Sequence, residues 1–311
     1  TKANQEGTDW MRVITRNAPV QNYQIGASGG GKNVTYALSL GYLDQKGVIK
    51  YTSFKKYNIR SNIQFTGFDQ HLKIGANILF SRTEGIGFAT NTANAGDYQQ
   101  AYSPVGDVYK IQTIIPVYDI MGNFAGARGA TLGDAKNPLA LLYRAKDNFT
   151  YSNRLFGNTF AEISITKDLT AMTSFGVNLN NSNGQSIQYP AMEDAVSVST
   201  NGYSASQGFG TQWTWTNTLN FKHTFNSDHS LNILAGTESI KNKARNLNGA
   251  RSGYFILGDM NYYYLNTGST NITNAETGSI SSLASLFARA DYAFRDKYLL
   301  SATIRRDGSS N

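Results

Sequence analysis

Short gaps and long gaps take turns between the period-2 segments of this chain, and few folds impose that rhythm. Apolar/polar alternation bounded by Gly, Asn, Asp and Ser clusters predicts strands over 21–28, 33–43, 57–66, 70–82, 153–166, 168–180, 207–224, 229–241, 283–294 and 297–307. The gaps at 29–32, 67–69, 167, 225–228 and 295–296 are tight turns, whereas 44–56, 83–152, 181–206 and 242–282 are long. In an antiparallel array this puts every long connection at one end. Membrane barrels are built that way, from strands of roughly ten residues that face lipid and interior by turns. The expected fold class is an all-β, antiparallel transmembrane β-barrel with short periplasmic turns and long extracellular loops.

The faces support this. Val34, Tyr36, Leu38, Leu40 and Tyr42 share one side of their strand, and Thr35, Ala37, Ser39, Gly41 and Leu43 share the other. Ile59, Ile63 and Phe65 oppose Asn58, Arg60, Asn62 and Gln64; Leu72, Ile74, Ala76, Ile78 and Phe80 oppose Lys73, Gly75, Asn77 and Ser81. Leu286, Ala288, Ala290, Tyr292 and Phe294 repeat the pattern against Arg289 and Asp291. A soluble antiparallel sandwich also alternates. It has no reason, though, to end its apolar faces in rings such as Tyr36, Tyr42, Tyr57, Trp213, Trp215, Tyr292 and Tyr298, which belong at membrane interfaces.

Composition agrees where it bears on the question. Charged residues make up 16% of the 311 residues, against roughly 25% in an average soluble domain. No run of apolar residues is long enough for a membrane helix, and there is no cysteine to form a disulfide or thiolate site. The net charge of +7 is spread along the chain without a basic block, so nucleic acid is not an expected partner; contact with lipid phosphates or with anionic groups in a lumen is. Residues 1–22 lack an apolar leader segment, and the last strand ends without a following partner, which together predict an internal stretch of a longer protein.

The motifs point away from catalysis. Gly26-Ala27-Ser28-Gly29-Gly30-Gly31-Lys32-Asn33 approaches a phosphate-binding loop, but Asn33 replaces the required hydroxyl and a strand follows where a helix is needed. His71, His223 and His229 have no ligand spacing, so no metal site is expected. Glu193-Asp194 lies in a Ser-rich loop and reads as solvated charge. No nucleophile motif is present, no cofactor is expected, and no catalytic residue is assigned. Tyr98, Tyr102, Tyr262, Tyr263 and Tyr264 fall in long loops, where their rings either stack on a substrate or hold the loops' own small cores.

Thr8-Asp9-Trp10, Ile14-Thr15-Arg16-Asn17-Ala18-Pro19-Val20-Gln21-Asn22-Tyr23 and Ser28-Gly29-Gly30 resemble the start of the barrel in SusC/RagA-type TonB-dependent outer-membrane transporters of Bacteroidetes. So do Tyr36-Ala37-Leu38-Ser39-Leu40-Gly41-Tyr42-Leu43-Asp44-Gln45-Lys46-Gly47, Asn137-Pro138-Leu139-Ala140-Leu141-Leu142 and the closing Asp296-Lys297-Tyr298-Leu299-Leu300-Ser301-Ala302-Thr303-Ile304-Arg305-Arg306-Asp307-Gly308-Ser309-Ser310. The resemblance implies a 22-stranded, plugged barrel, of which these strands are a part. It divides the chain into a lead-in with a short helix over 1–20 and barrel wall over 21–311. It also implies a plug and a segment contacting the TonB complex outside this chain, a SusD-like surface lipoprotein as lid, and oligosaccharides or oligopeptides as cargo, in the outer membrane of a Gram-negative cell. A passive porin or adhesin barrel, and a soluble β-rich surface glycan-binding protein, are the other readings the residues leave open.

Overall fold

A computed structural model describes residues 6–87, 103–129, 131–195, 197–255, 259 and 262–310. Ten strands form one antiparallel sheet in sequence order. They are β1 (Val20–Gly30), β2 (Val34–Lys46), β3 (Ser53–Gly67), β4 (Leu72–Ile86), β5 (Phe149–Ser164), β6 (Leu169–Gln188), β7 (Gly202–Phe225), β8 (His229–Ser252), β9 (Thr270–Phe294) and β10 (Tyr298–Ser309). Three short helices accompany them: α1 (Trp10–Ile14), α2 (Pro104–Val108) and α3 (Pro138–Ala145). β1 and β10 are the sheet edges and do not pair with each other.

Directly paired residues share a face, so the register can be followed across the whole sheet. Ile25 pairs with Leu40, Leu40 with Ile59, and Ile59 with Phe80. Phe80 pairs with Leu155 and Leu155 with Leu179. Farther on, Phe175 pairs with Trp215, Ala235 with Ala288, and Ala288 with Ile304. The apolar sides of all ten strands therefore form one continuous surface, and Tyr36, Tyr42, Tyr57, Trp213, Trp215, Tyr292 and Tyr298 lie on it. The opposite face is polar and cross-linked. Lys73 meets Glu162 at 2.9 Å, Asn77 donates to Asn158 at 3.2 Å, and Arg154 donates to Asn178 at 3.0 Å. Arg305 reaches across β9 to Glu238 at 3.0 Å, while Arg289 grips Asp291 at 2.8 Å.

A polar cluster sits on the apolar face. Asn217 accepts from Thr173 at 2.7 Å and donates to Thr237 at 3.4 Å, and the Trp215 indole donates to Thr173 at 3.0 Å. Each member meets a neighbour, which removes much of the several kcal/mol that an unpaired polar group costs in hydrocarbon.

Strand lengths depart from the sequence expectation in one direction. β7, β8 and β9 run 24, 24 and 25 residues, and β9 begins at Thr270 where the alternation starts only at 283. The expected long loop 44–56 shrinks to the six residues 47–52 between Lys46 and Ser53. Above the membrane both faces of a strand meet water, so apolar alternation stops while the backbone ladder continues. Cross-strand pairs such as Asn242 with Ser281, at 3.3 Å, take over there.

At the other end the turns are tight and unusual. Phe68, Asp69 and Gln70, Asn226 and Ser227, and Arg295 and Asp296 all adopt positive φ of 47° to 72°. This left-handed backbone matches the twist of the flanking strands. Arg295 also ties two neighbouring turns through its backbone N–H to the Asp228 carbonyl at 2.7 Å and its guanidinium to the Asp228 carboxylate at 3.0 Å.

The register yields a sharp expectation. Leu38→Arg places a charge on the lipid face at a cost of about 2–4 kcal/mol, whereas Ser39→Arg points into the wet interior. In the full-length protein the first should lower the yield of assembled, heat-modifiable barrel and the second should not; equal yields would refute the assigned faces.

Candidate functional site

All connections of any size lie at one rim of the sheet and are braced into a single cap. α1 starts at Asp9, whose carboxylate accepts from the Arg12 N–H at 3.0 Å, and it buries Trp10 and Ile14. Trp10 packs with Ile111, Ile115, Ala127 and Ala135 of the 87–148 connection. Thr8 adds hydrogen bonds of 2.8 Å to the carbonyls of Thr113 and Ile115. Arg16 holds the 47–52 turn through the carbonyls of Gly47 at 3.0 Å and Thr52 at 2.7 Å.

Asn137 is the central clamp. Its side-chain oxygen caps α3 by accepting from Leu139 and Ala140 at 3.0 and 3.1 Å, and Pro138 follows at the position that needs no N–H donor. Its amide nitrogen donates to the carbonyls of Val117 and Ala125 at 3.0 and 2.7 Å. One fully buried side chain thus joins a helix start to two passes of loop. Arg144, at the end of α3, then grips Glu193 of the 189–201 connection in a two-pronged pair at 2.6 and 3.1 Å. Asn201 and Tyr254 exchange two bonds of 2.8 Å that tie this connection to the 253–269 connection.

Glu193-Asp194 corrects the expectation of solvated charge. Glu193 is paired, and Asp194 is buried, as is Asp107 at the end of α2. The chain bends at these residues, and one carboxylate reaches α3 while the other is buried. Burial pushes the carboxyls of Asp107 and Asp194 up to about 6, and the charge of Glu193 adds to the effect on Asp194. Lys136 opposes both shifts without cancelling them.

The predicted loop tyrosines divide. Tyr98 and Tyr102 lie outside the described residues. Tyr263 is 4% exposed and packs with Tyr203, Tyr254 and Ile187, its ring 5.0 Å from that of Tyr254. Tyr262 and Tyr264 on either side of it are exposed. The sequence reading missed another set. Ile120 and Met121 are 99% and 82% exposed at the tip of a turn that Asp119 organises by accepting from the N–H groups of Met121 at 2.8 Å and Asn123 at 2.9 Å. The bond from Asn123 contributes most to holding the Asp119 carboxyl below the usual carboxylate value. Phe255 is 98% exposed on the 253–269 connection. The available signal was an Asp turn with Gly122 carrying apolar residues at its apex, where polar ones are the rule. Beneath that tip, Phe124, Arg144, Pro190, Met192 and Glu193 line a cleft of about 540 Å³.

The three histidines each have a local partner: His71 the Ser164 carbonyl at 3.0 Å, His223 the Asp168 carboxylate at 3.0 Å, and His229 the Tyr292 hydroxyl at 2.5 Å. Among the described residues no cluster of three or more metal-ligating groups occurs.

No family model matches the chain. It is similar to the TonB-dependent receptor P26 of Formosa agariphila, with 24% identity over 97% of this chain and 29% of that protein. It is similar also to the TonB-dependent receptor SusC of Bacteroides thetaiotaomicron, with 25% identity over 97% of this chain and 30% of that protein. The RagAB peptide importer in its closed-closed state superposes with a TM-score of 0.79 at 23% identity, covering 99% of this chain and 33% of that one. The chain spans about 30% of the length of the curated relatives it matches. The sheet thus has the fold of a stretch of TonB-dependent receptor barrel wall and is similar to these receptors nearly end to end.

Two expectations follow for the cap. Asn137→Ala removes four hydrogen bonds and a helix cap, so it should cost about 2 kcal/mol or more locally and expose 103–148 to limited proteolysis with the strands intact. For the buried aspartates, a native value above the unfolded one means that the folded cap binds the proton more tightly. Its stability is therefore full near pH 4 and falls as pH rises through about 6. Amide exchange in this segment, corrected for intrinsic rates, should be slower at pH 5 than at pH 7.5, and Asp194→Asn should reduce the difference.

Proposed function

We propose that this chain forms wall and extracellular cap of an outer-membrane importer for oligosaccharides or oligopeptides. It works with a SusD-like surface lipoprotein and draws on the TonB complex through parts of the protein outside these residues. The observation that carries the reading is the continuous ten-strand register, with a largely apolar face, a cross-linked polar face and one braced rim of loops. The similarity to receptors of this type supports it. No covalent chemistry is required: the apolar face seals against lipid, the polar face lines the lumen, and the cap meets cargo and lid.

Within the cap, the exposed rings of Tyr262 and Tyr264 are the proposed cargo contacts, because a ring can stack on a sugar face or pack on a peptide. Tyr263 holds them from below. Ile120 and Met121, on a turn stiffened by Asp119, suit the lid, since apolar side chains fully exposed on a rigid tip gain most when a partner covers them.

The orientation is testable on whole cells producing the full-length protein. Ile120→Cys should react with a membrane-impermeant thiol reagent and Asp228→Cys, in a tight turn, should not; the reverse result would invert the topology. Replacing both Ile120 and Met121 by Asp should weaken lid association by about 2 kcal/mol, read as loss of the lipoprotein on co-purification, with assembly unchanged. Undiminished co-purification would remove this tip from the lid interface.

A further inference from the structure

Toward the loop rim the two faces of β6 to β9 part in chemistry. The outward face carries Lys243, Arg245, Arg251 and Glu276. The inward face continues the polar side on which Arg154 meets Asn178, since Asn178 pairs with Gln212, Gln212 with Asn242 and Asn242 with Ser281. It comprises the even positions of 178–186, 204–212 and 242–250 and the odd positions of 273–281, and these are Ser, Thr, Asn, Gln, Gly and Ala alone. None of these side chains is charged or aromatic. Lower on the same face charges return in Glu238, Arg289, Asp291 and Arg305. Arg154 of β5 borders the lower corner of the neutral sector, where its guanidinium donates to Asn178 at 3.0 Å.

Two glycines shape this wall. Gly208 stands between Ser182 and Asn246, and a Cβ there would lie 2.6 Å from the Ser182 hydroxyl and 3.0 Å from the Asn246 side-chain oxygen. Gly184, one row nearer the rim, stands between Thr150 and Ser206, whose hydroxyls would lie 3.6 and 2.9 Å from its Cβ. In each row polar groups from the flanking strands lean over a bare backbone position, where another molecule can approach closely. Ser182, Ser206, Asn246 and Asn248 have a strand on either side, yet no side-chain hydrogen bond joins any of them to another described residue. Their donors and acceptors face the interior. Beside them lies a hollow of about 360 Å³ lined by Ser186, Ser204, Ser206 and Asn248.

We propose that this sector of the wall binds uncharged oligosaccharide and selects against charged cargo, whether uronate, sulfated glycan or peptide. The inference rests on the importer reading under Proposed function and narrows its cargo. A sugar hydroxyl both donates and accepts, and here it exchanges water for Ser and Asn groups that do the same. A carboxylate, sulfate or ammonium group gives up hydration on entering and meets no opposite charge among these side chains, which is the costly case. Selection then comes from the penalty on the wrong cargo as much as from attraction to the right one. The groups that converge over Gly208 and Gly184 are the ones placed to hold the sugar, because they are fixed by the strands and engaged with no other side chain.

The test uses the full-length protein in detergent. It is titrated with neutral cello-, xylo-, malto-, manno- and galacto-oligosaccharides, with oligogalacturonate and sulfated galacto-oligosaccharide of matched length, and with a tryptic peptide mixture. Binding should be confined to neutral members. Asn246→Ala combined with Asn248→Ala should weaken it about tenfold. Gly208→Val, which drives Ser182 and Asn246 apart, should weaken it as well, with the yield of assembled barrel unchanged. Gln207→Ala combined with Asn274→Ala removes amides from the outward face at the same level and should leave binding as it was. Acidic or peptide cargo bound as tightly as neutral cargo, no binding of any neutral oligosaccharide, or equal losses from the inward and outward pairs of substitutions would overturn the proposal. Import of an acidic glycan or a peptide by this receptor defeats this inference and leaves the importer reading standing, whereas reversed thiol labelling at positions 120 and 228 strikes at that reading instead.

Discussion

In hydrocarbon no water is present to satisfy backbone N–H and C=O groups, so every strand in this sheet depends on the ladder it shares with its neighbours. That requirement sets the register, and the register sets everything else. A slip of one residue between β3 and β4 would turn Ile59 and Ile63 inward and Arg60 outward. The side chains reinforce the ladder on both sides, with apolar rows outside and pairs such as Lys73 with Glu162 and Arg305 with Glu238 inside. The cluster of Asn217 with Thr173 and Thr237 is an exception on the apolar side, tolerated because its members meet one another.

The cap obeys different rules. It has only a small apolar core around Trp10, Ile111 and Ile115, and a second around Tyr203, Tyr254 and Tyr263. Its shape depends on buried polar anchors that each serve several partners, chiefly Asn137, Asn201 and the pair of Arg144 with Glu193. Such anchors leave nearby surface free to present exposed groups. Ile120, Met121, Phe255, Tyr262 and Tyr264 stand on this frame without contributing to it. Two buried carboxylates, Asp107 and Asp194, make the frame sensitive to pH in the range where their protons are lost.

The order and number of strands, the side of each that faces lipid, and the segregation of long connections to one rim were legible from alternation alone. Those properties are written locally: Leu38 and Ser39 differ in polarity because their faces meet different media. The block beginning at Asn137-Pro138 was legible as a resemblance, and its physical reason, a helix cap that also binds two carbonyls, appeared only when Val117 and Ala125 were placed beside it. Strand ends were not legible. Thr270 to Ser282 carries no apolar rhythm because both of its faces are wet, yet it pairs with β8 through most of its length.

By itself, the sequence determined an antiparallel barrel wall with a lipid side and a wet side, because the two media impose a period of two on every membrane-crossing segment. Only the tertiary structure decided the length of the strands above the membrane and which loop residues are frame and which are surface. Tyr263 and its exposed neighbours Tyr262 and Tyr264 are identical in type and adjacent in the chain; what separates them is the contact with Tyr203 of β7 and with Tyr254 at the start of their own connection. Among the described residues Lys241 and Lys243, which have no acid beside them, are likewise separated from the matched Arg245 only by which side chains the neighbouring strand places near them. Pairing between distant segments is a property of the register, and no local pattern of polarity encodes it.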